Sequence, residues 1–294
     1  MPREVSERAH ALLSGDWQPP PLRDATTVVL LRDRPDGLET YLMRRMSTMA
    51  FAAGMHVFPG GRIDDADISA AVSWTGTSVD ADRMTASAER GRGLVVCAVR
   101  ELFEETGVLL AVDSEGRLPV EDDEWERDRS AVHDSSAALA EILDRRGLSL
   151  DPGLLPLWSH WVTPEIEAKR YDVRFFVAAI PAGQDVRDVS GEADHVRWIR
   201  PAHALDAYAR GDLAMLPPTV ATIADLLPFA NAEATLASAP ERFVCPLMPR
   251  PLLTSDGDIA WEVVDLRTGR PVMSLAGEPA GSEEHGTGPA TGAP

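Results

Sequence analysis

Arg100-Glu101-Leu102-Phe103-Glu104-Glu105-Thr106-Gly107-Val108 is the stretch on which the reading of this chain turns. At about 100° per residue of a helix, Glu101, Glu104 and Glu105 fall within one arc. Val95, Val96, Val99, Leu102 and Phe103 gather on the opposite side. One face is therefore expected to pack against a sheet while the other displays three carboxylates. Like charges at this spacing repel, and more strongly where solvent is restricted. No Lys or Arg lies inside the arc; Arg100 stands at its edge, placed to steady a carboxylate. Three hard oxygen donors at one spot suit a divalent cation, Mg²⁺ or Mn²⁺. The alternative is a solvated acidic face, in keeping with a chain of 28 Lys+Arg against 47 Asp+Glu and a net charge of −19. Gly107 is a natural left-handed stop for the helix.

Upstream of the helix lies Phe58-Pro59-Gly60-Gly61, directly after a predicted short strand at 55–58. Two glycines after a proline let the backbone turn sharply and approach another segment closely. Before it, residues 25–31 (Ala-Thr-Thr-Val-Val-Leu-Leu) and 39–44 read as two strands around the turn at Pro35-Asp36-Gly37, a hairpin opening a domain. An irregular lead-in, 1–24, with a short helix at 4–13, precedes them. Residues 62–93 show little periodicity, and 114–129 are acidic, polar and read as exposed. Downstream, helices are predicted at 135–146, 201–208, 219–227 and 231–237, with Gly147 as a stop and Pro218 in a first turn. Strands are predicted at 155–161, 174–180, 194–199 and 259–264. The tail 277–294 has almost nothing to bury and reads as disordered. This order of elements suits an α/β sandwich. It does not suit a doubly wound nucleotide fold, because βαβ alternation and G-x-G-x-x-G are both missing.

Composition narrows the function. The 294 residues are 44% apolar and 26% charged, those of an ordinary globular chain. No basic run supplies the footprint a nucleic-acid binder needs, and attraction to anionic membranes is disfavoured for the same reason. Small phosphorylated substrates stay open, because a bound cation inverts the local field. Cys97 and Cys245 make no disulfide framework, and Cys97 reads as a small core residue. No signal peptide and no apolar stretch of membrane-helix length is evident, so a cytoplasmic location is the expectation. No Cys/His spacing fits structural zinc.

Taken together, the glycine bend and the helix resemble the Nudix hydrolase box: Gly, five residues, Glu, seven residues, then Arg-Glu-aliphatic-X-Glu-Glu-X-Gly-aliphatic. Gly61 matches the opening glycine, and Arg100, Glu101, Leu102, Glu104, Glu105, Gly107 and Val108 match the specified positions of the second half. Between Gly61 and Arg100 the offset is 39, which is 25 more than in the family's pattern. The first box glutamate is not placed; Asp64, Asp67 and Glu89 are the nearby acids. A loop here can lengthen at modest entropic cost if its ends still meet. An interrupted box of this kind occurs in a subgroup that includes peroxisomal CoA diphosphatases. Trp161-Val162-Thr163-Pro164, the run 170–176 and Leu216-Pro217-Pro218 resemble that subgroup too.

The resemblance implies an α/β/α sandwich around a mixed sheet, with a Nudix domain at 25–240, an insertion at 62–93 and a C-terminal β extension at 241–276. It implies hydrolysis of a nucleoside diphosphate linked to a second moiety, with in-line attack on one phosphorus. Glu104 and Glu105 would be the main metal ligands, Glu101 a third ligand or a base, and Arg100 their orienter. A backbone carbonyl at Gly61 or Gly60 would complete the set. Among Glu165, Glu167, Glu192 and Asp194, Glu192 ranks first as general base because it precedes a strand expected to end near the site. A CoA-type signature is half kept: Leu42, Arg45, Gly54 and Phe58 match, whereas Tyr41, Met43, Met46 and Ala50 depart. CoA, a nucleotide sugar, ADP-ribose and NADH all remain candidate substrates. The competing class is a non-catalytic Nudix-like binding or regulatory module, and a homodimer is expected by analogy alone. Trp158, Trp161 and Trp198 are read as core rather than base-stacking, and His160 as a satisfied strand histidine. His56 is a minor candidate beside the bend, and Arg170 and Arg174 either grip phosphate or sit on a solvated turn.

Overall fold

The lead-in holds a helix, α1 (Arg3–Ser14), and gives way to β1 (Leu22–Arg34), whose first three residues fall within the expected irregular segment. A turn connects β1 to β2 (Gly37–Arg45) in antiparallel register, Arg34 opposite Gly37. Then come β3 (His56–Val57), α2 (Asp65–Ile68), α3 (Ala88–Thr106), α4 (Trp125–His133) and α5 (Leu139–Arg146). The second half runs β4 (Leu157–Val162), β5 (Arg170–Ala179), β6 (Ala193–Ile199), α6 (Pro201–Ala209), α7 (Pro217–Leu226) and α8 (Ala232–Ser238). It closes with β7 (Pro246–Leu253), β8 (Ile259–Asp265) and β9 (Arg270–Ser274). The computed structural model describes residues 3–46, 52–84, 86–187, 193–253 and 259–274; the tail expected to be disordered lies outside them.

One mixed sheet organises the described residues, in the order β3-β2-β1-β5-β4-β7-β8-β9, with β6 against β2. The pairs β1·β5 and β4·β7 are parallel, and the others antiparallel. The continuous apolar run in β1 is explained by burial on both faces. Val28 and Leu30 point into one cluster with Leu94, Val99, Leu102 and Phe103 of α3. Val29 and Leu31 point into a second cluster with Ala204 of α6, Ile223 of α7 and Ala232 of α8. This is the expected layering of helices on both sides of a mixed sheet.

Two expectations need correction. The segment 114–129 is not simply exposed: Trp125 and Asp128 are almost wholly buried, and so is Arg129. Phe103 meets Trp125 edge to face at 5.7 Å, and Arg146 lies over the indole at 5.1 Å. Acidic neighbours in the sequence concealed a helix that packs on α3. Likewise 62–93 is not a featureless insertion. It carries α2, a bridge from Trp74 to Leu150, the buried Met84, and the first turns of α3, which Ser87 caps by accepting the Arg90 N–H.

Candidate active site

The glycine bend is fastened to β1 from both sides. Thr26 N–H donates to Gly61 O at 2.9 Å, and Val28 N–H donates to Pro59 O at 2.8 Å. Gly60 has φ +152°, and a Cβ there would stand 2.2 Å from Thr26 O, so backbone and neighbour both demand glycine. Held in this way, Gly60 N–H donates to Glu105 Oε2 at 2.8 Å. A Cβ on Gly61 would fall 2.3 Å from Glu101 Oε1, which places the Glu101 carboxylate directly against the Gly61 backbone. The two halves of the interrupted motif therefore meet in space.

Helix α3 carries its glutamates as the spacing predicts, yet its acidic face is not a solvated one. Glu101 and Glu104 side chains are 14% exposed, and Glu105 is buried. The apolar residues named from the sequence, Val95, Val96, Val99, Leu102 and Phe103, are all buried on the sheet side. Gly107 closes the helix at φ +78° as expected. Arg100 does more than steady one carboxylate. Its Nη1 reaches Glu101 at 2.9 Å and Glu104 at 3.1 Å, while Nε and Nη2 form a fork on Asp67 at 2.8 and 2.9 Å. Nη2 also donates to Arg62 O at 3.2 Å.

Burial pushes the Glu101 carboxyl up to about 7, against the opposing pull of Arg100 and with the help of Glu104. Glu104 is raised too, again chiefly by burial. Burial works against the charge on Arg100, but its bond to Asp67 and the field of Glu101 outweigh it and hold the guanidinium firmly protonated. The site is thus a cluster of carboxylates disposed about one cation of the protein's own.

Asp67 was not singled out above from its fellow acids, and the structure does so. It is buried, accepts the Asp64 N–H at 2.9 Å and anchors Arg100. Asp64 is half exposed and pairs with Arg62, and Glu89 lies exposed on the first turn of α3. The signal was present: Asp67 follows Gly61 by the box's own interval of five residues, so counting forward from the glycine finds it, and the extra residues lie beyond.

Gly61 O accepts from Thr26 and lies near Cys97 Sγ at 3.9 Å. Cys97 is fully buried, and its thiol is pushed up by burial. Glu192 lies outside the described residues, as does Ala50 of the CoA-type signature; β6 begins at Ala193 opposite Arg45, next to the strand that enters the bend. Glu167 is near Arg8 at 3.9 Å, and the Glu165 carbonyl accepts the Trp17 indole N–H. His160 is buried and bonded to Asp172. His56 is buried beside Ala214 O, and burial lowers its pKa. Trp158 and Trp161 are buried, and Trp198 packs on Tyr41 and under Arg32. Arg170 and Arg174 are on no solvated turn: Arg170 bonds Thr163 O, and Arg174 bonds Asp24, Asp172 and Met84 O. Both guanidiniums are occupied by the protein itself.

The donor chemistry suits a hard cation. Among the described residues, however, the side chains are turned to Arg100 and Gly60, and no group of three or more His, Cys, Asp or Glu is gathered to hold an ion. Arg100 meets Glu101 and Glu104 through one oxygen of each carboxylate, Oε1.

With this geometry in view, the chain was compared with known proteins. Residues 80–226 match the model of the NUDT19 Nudix domain. The acyl-coenzyme A diphosphatase NUDT19 of Xenopus laevis is 26% identical over 65% of this chain and 60% of its own length. The protein of that name from Gallus gallus is 26% identical over 67% of this chain and 63% of its own. This chain therefore spans under two thirds of either relative. The crystal structure of a NUDIX hydrolase from Alicyclobacillus acidocaldarius superposes with a TM-score of 0.62 at 30% identity, covering 74% of this chain and 96% of that one. Among the described residues, no helix is long and apolar enough to cross a membrane.

Proposed function

The chain belongs to the Nudix hydrolases, and we propose that it hydrolyses the diphosphate bridge of a nucleoside diphosphate joined to a second moiety, with coenzyme A or an acyl-coenzyme A as substrate. The observation that carries this reading is the Gly60 N–H to Glu105 bond, which joins the two halves of the box across the insertion. The names of the two vertebrate relatives, both acyl-coenzyme A diphosphatases, favour the coenzyme A class over the nucleotide sugars, ADP-ribose and NADH.

In this reading Glu104 and Glu105 would hold a Mg²⁺ or Mn²⁺ ion, with Glu101 as a third ligand and the Gly61 carbonyl as a further donor. The ion, when bound, neutralises charge on the diphosphate and makes a water molecule more acidic. Arg100 orients the glutamates, and Asp67 orients Arg100 through its two-point bond. The bend places the Gly60 N–H on Glu105 and fixes where that carboxylate points. Glu192, which precedes β6 in the sequence, is the proposed base that takes the proton from the attacking water, a role worth roughly 10²–10⁴-fold in rate.

The test is product analysis on coenzyme A, ADP-ribose and NADH with Mg²⁺, using wild type and Glu105→Gln. Wild type is expected to release 4′-phosphopantetheine and adenosine 3′,5′-bisphosphate from coenzyme A. Glu105→Gln should lose about a hundredfold or more of that turnover while keeping its fold. Wild-type rates in the variant would end the assignment. Ion binding without product would favour a non-catalytic module instead.

A further inference from the structure

A cavity of about 680 Å³ opens on the face of the sheet opposite α3. Its walls include Thr27 of β1, Phe58 of the bend, Trp161 of β4, Tyr171 of β5, and, from the C-terminal strands, Pro249 and Trp261. Its size suits a small-molecule ligand. Two features identify what fits. Among the described lining residues there is no Lys, Arg or His, and the one charged residue is a carboxylate, Glu167. A phosphate would be repelled here. The walls are otherwise mostly carbon, so the hydroxyls of a sugar would lose their hydrogen bonds to water without replacement. A third feature fixes the location. Phe58 lines the cavity and stands two residues before Gly60, whose N–H meets Glu105. Thr27 lines it too, next to Thr26, which bonds Gly61. The cavity thus adjoins the bend that sets the glutamates.

Resting on the hydrolase reading above, we propose that this cavity receives the pantetheine arm of a coenzyme A substrate, leaving the phosphorylated nucleotide half outside it. That arm is uncharged, its two methyl groups and methylenes match the carbon walls, and the lining includes the hydroxyl-bearing Thr27 and Tyr171. Trp261 is then a specificity-determining residue. It and Pro249 stand on the C-terminal strands, beyond residue 226, where the matched family segment ends. Trp261 is only half buried and stands on β8, away from the glutamates.

Two measurements test this. Pantetheine is titrated into the wild-type chain by calorimetry without any divalent ion, and initial rates with coenzyme A are compared between wild type and Trp261→Leu. Pantetheine is expected to bind wild type at millimolar concentration. Trp261→Leu is expected to raise KM for coenzyme A about tenfold with kcat within about twofold. No binding of pantetheine to wild type overturns the proposal, whether or not the variant folds. An unchanged KM, or a loss confined to kcat, overturns it as well. Pantetheine binding by a chain that hydrolyses no diphosphate would sink the hydrolase reading and leave the pocket assignment standing. Hydrolysis of coenzyme A without pantetheine binding would do the reverse.

Discussion

Glu101 shows how much a single carboxyl can report. Its folded pKa, about 7, stands above the ordinary value of 4.5 because burial disfavours the anion. An acid of this kind binds its proton more tightly in the folded chain than in the unfolded one. In the ion-free protein its contribution is therefore most favourable below pH 4.5 and is lost as pH rises through about 7. Glu101→Gln is expected to raise the ion-free melting temperature at pH 8 and to leave it nearly unchanged at pH 4, as differential scanning calorimetry would show. An equal shift at both pH values would contradict the account. The two glycines make a contrasting pair. Gly60→Ala places a methyl into the Thr26 backbone at a φ that side chains avoid, and urea unfolding should show a loss of about 2–3 kcal/mol. Gly61→Ala meets only the movable end of Glu101, so stability should change by less than about 1 kcal/mol. Turnover should fall about tenfold all the same, because the displaced group belongs to the site.

At the scale of the element, α3 was legible and α4 was not, and the difference is physical. The glutamates and valines of α3 repeat at helical spacing and stop at a glycine, so register and burial follow from the sequence alone. In 114–129 the acids that pair with Arg145, Arg146 and Arg187 look like surface until their partners are known. Those partners come from other segments, and only the fold brings them in. Yet α4 holds the end of α3: Trp125 Nε1 donates to Gly107 O and Arg129 Nη1 to Glu104 O, both at 2.8 Å. Trp125→Phe keeps one aromatic ring but removes the pyrrole half with its N–H, leaving Gly107 O without that bond. The expected loss in denaturant unfolding is about 1–2 kcal/mol. No measurable loss would mean that α4 covers the helix without bracing it.

Across the whole molecule, a buried ionic seam ties distant parts of the chain together. Arg174 of β5 meets Asp24 of β1 and Asp172, Asp172 bonds His160 of β4, and Arg174 also holds the Met84 carbonyl of the segment between the box halves. Sequence reading could weigh Arg174 only as a phosphate grip or a surface charge, because no local pattern reveals a pairing 150 residues apart. Arg174→Met would take a guanidinium from two carboxylates, leaving Asp24 to Arg90 and Asp172 to His160, and a destabilisation of about 1.5–3 kcal/mol is expected in urea unfolding. A cost under about 1 kcal/mol would show that water relieves them. The layering was anticipated by the order of elements and by the family resemblance, whereas the strand order was not. Nor was the cavity wall at Pro249 and Trp261, since nothing in 242–275 announces which edge it covers.

The long excursion between the box halves is tied down where it leaves and returns, by Asp67 on Arg100 and by the Met84 carbonyl on Arg174. Between those clasps, Thr75 to Ser78 face water. A foreign peptide spliced between Thr77 and Ser78 would lengthen a loop whose closure is already secured. The protein should accept such a graft, an epitope or a fluorophore tag, as an external handle that leaves the fold intact.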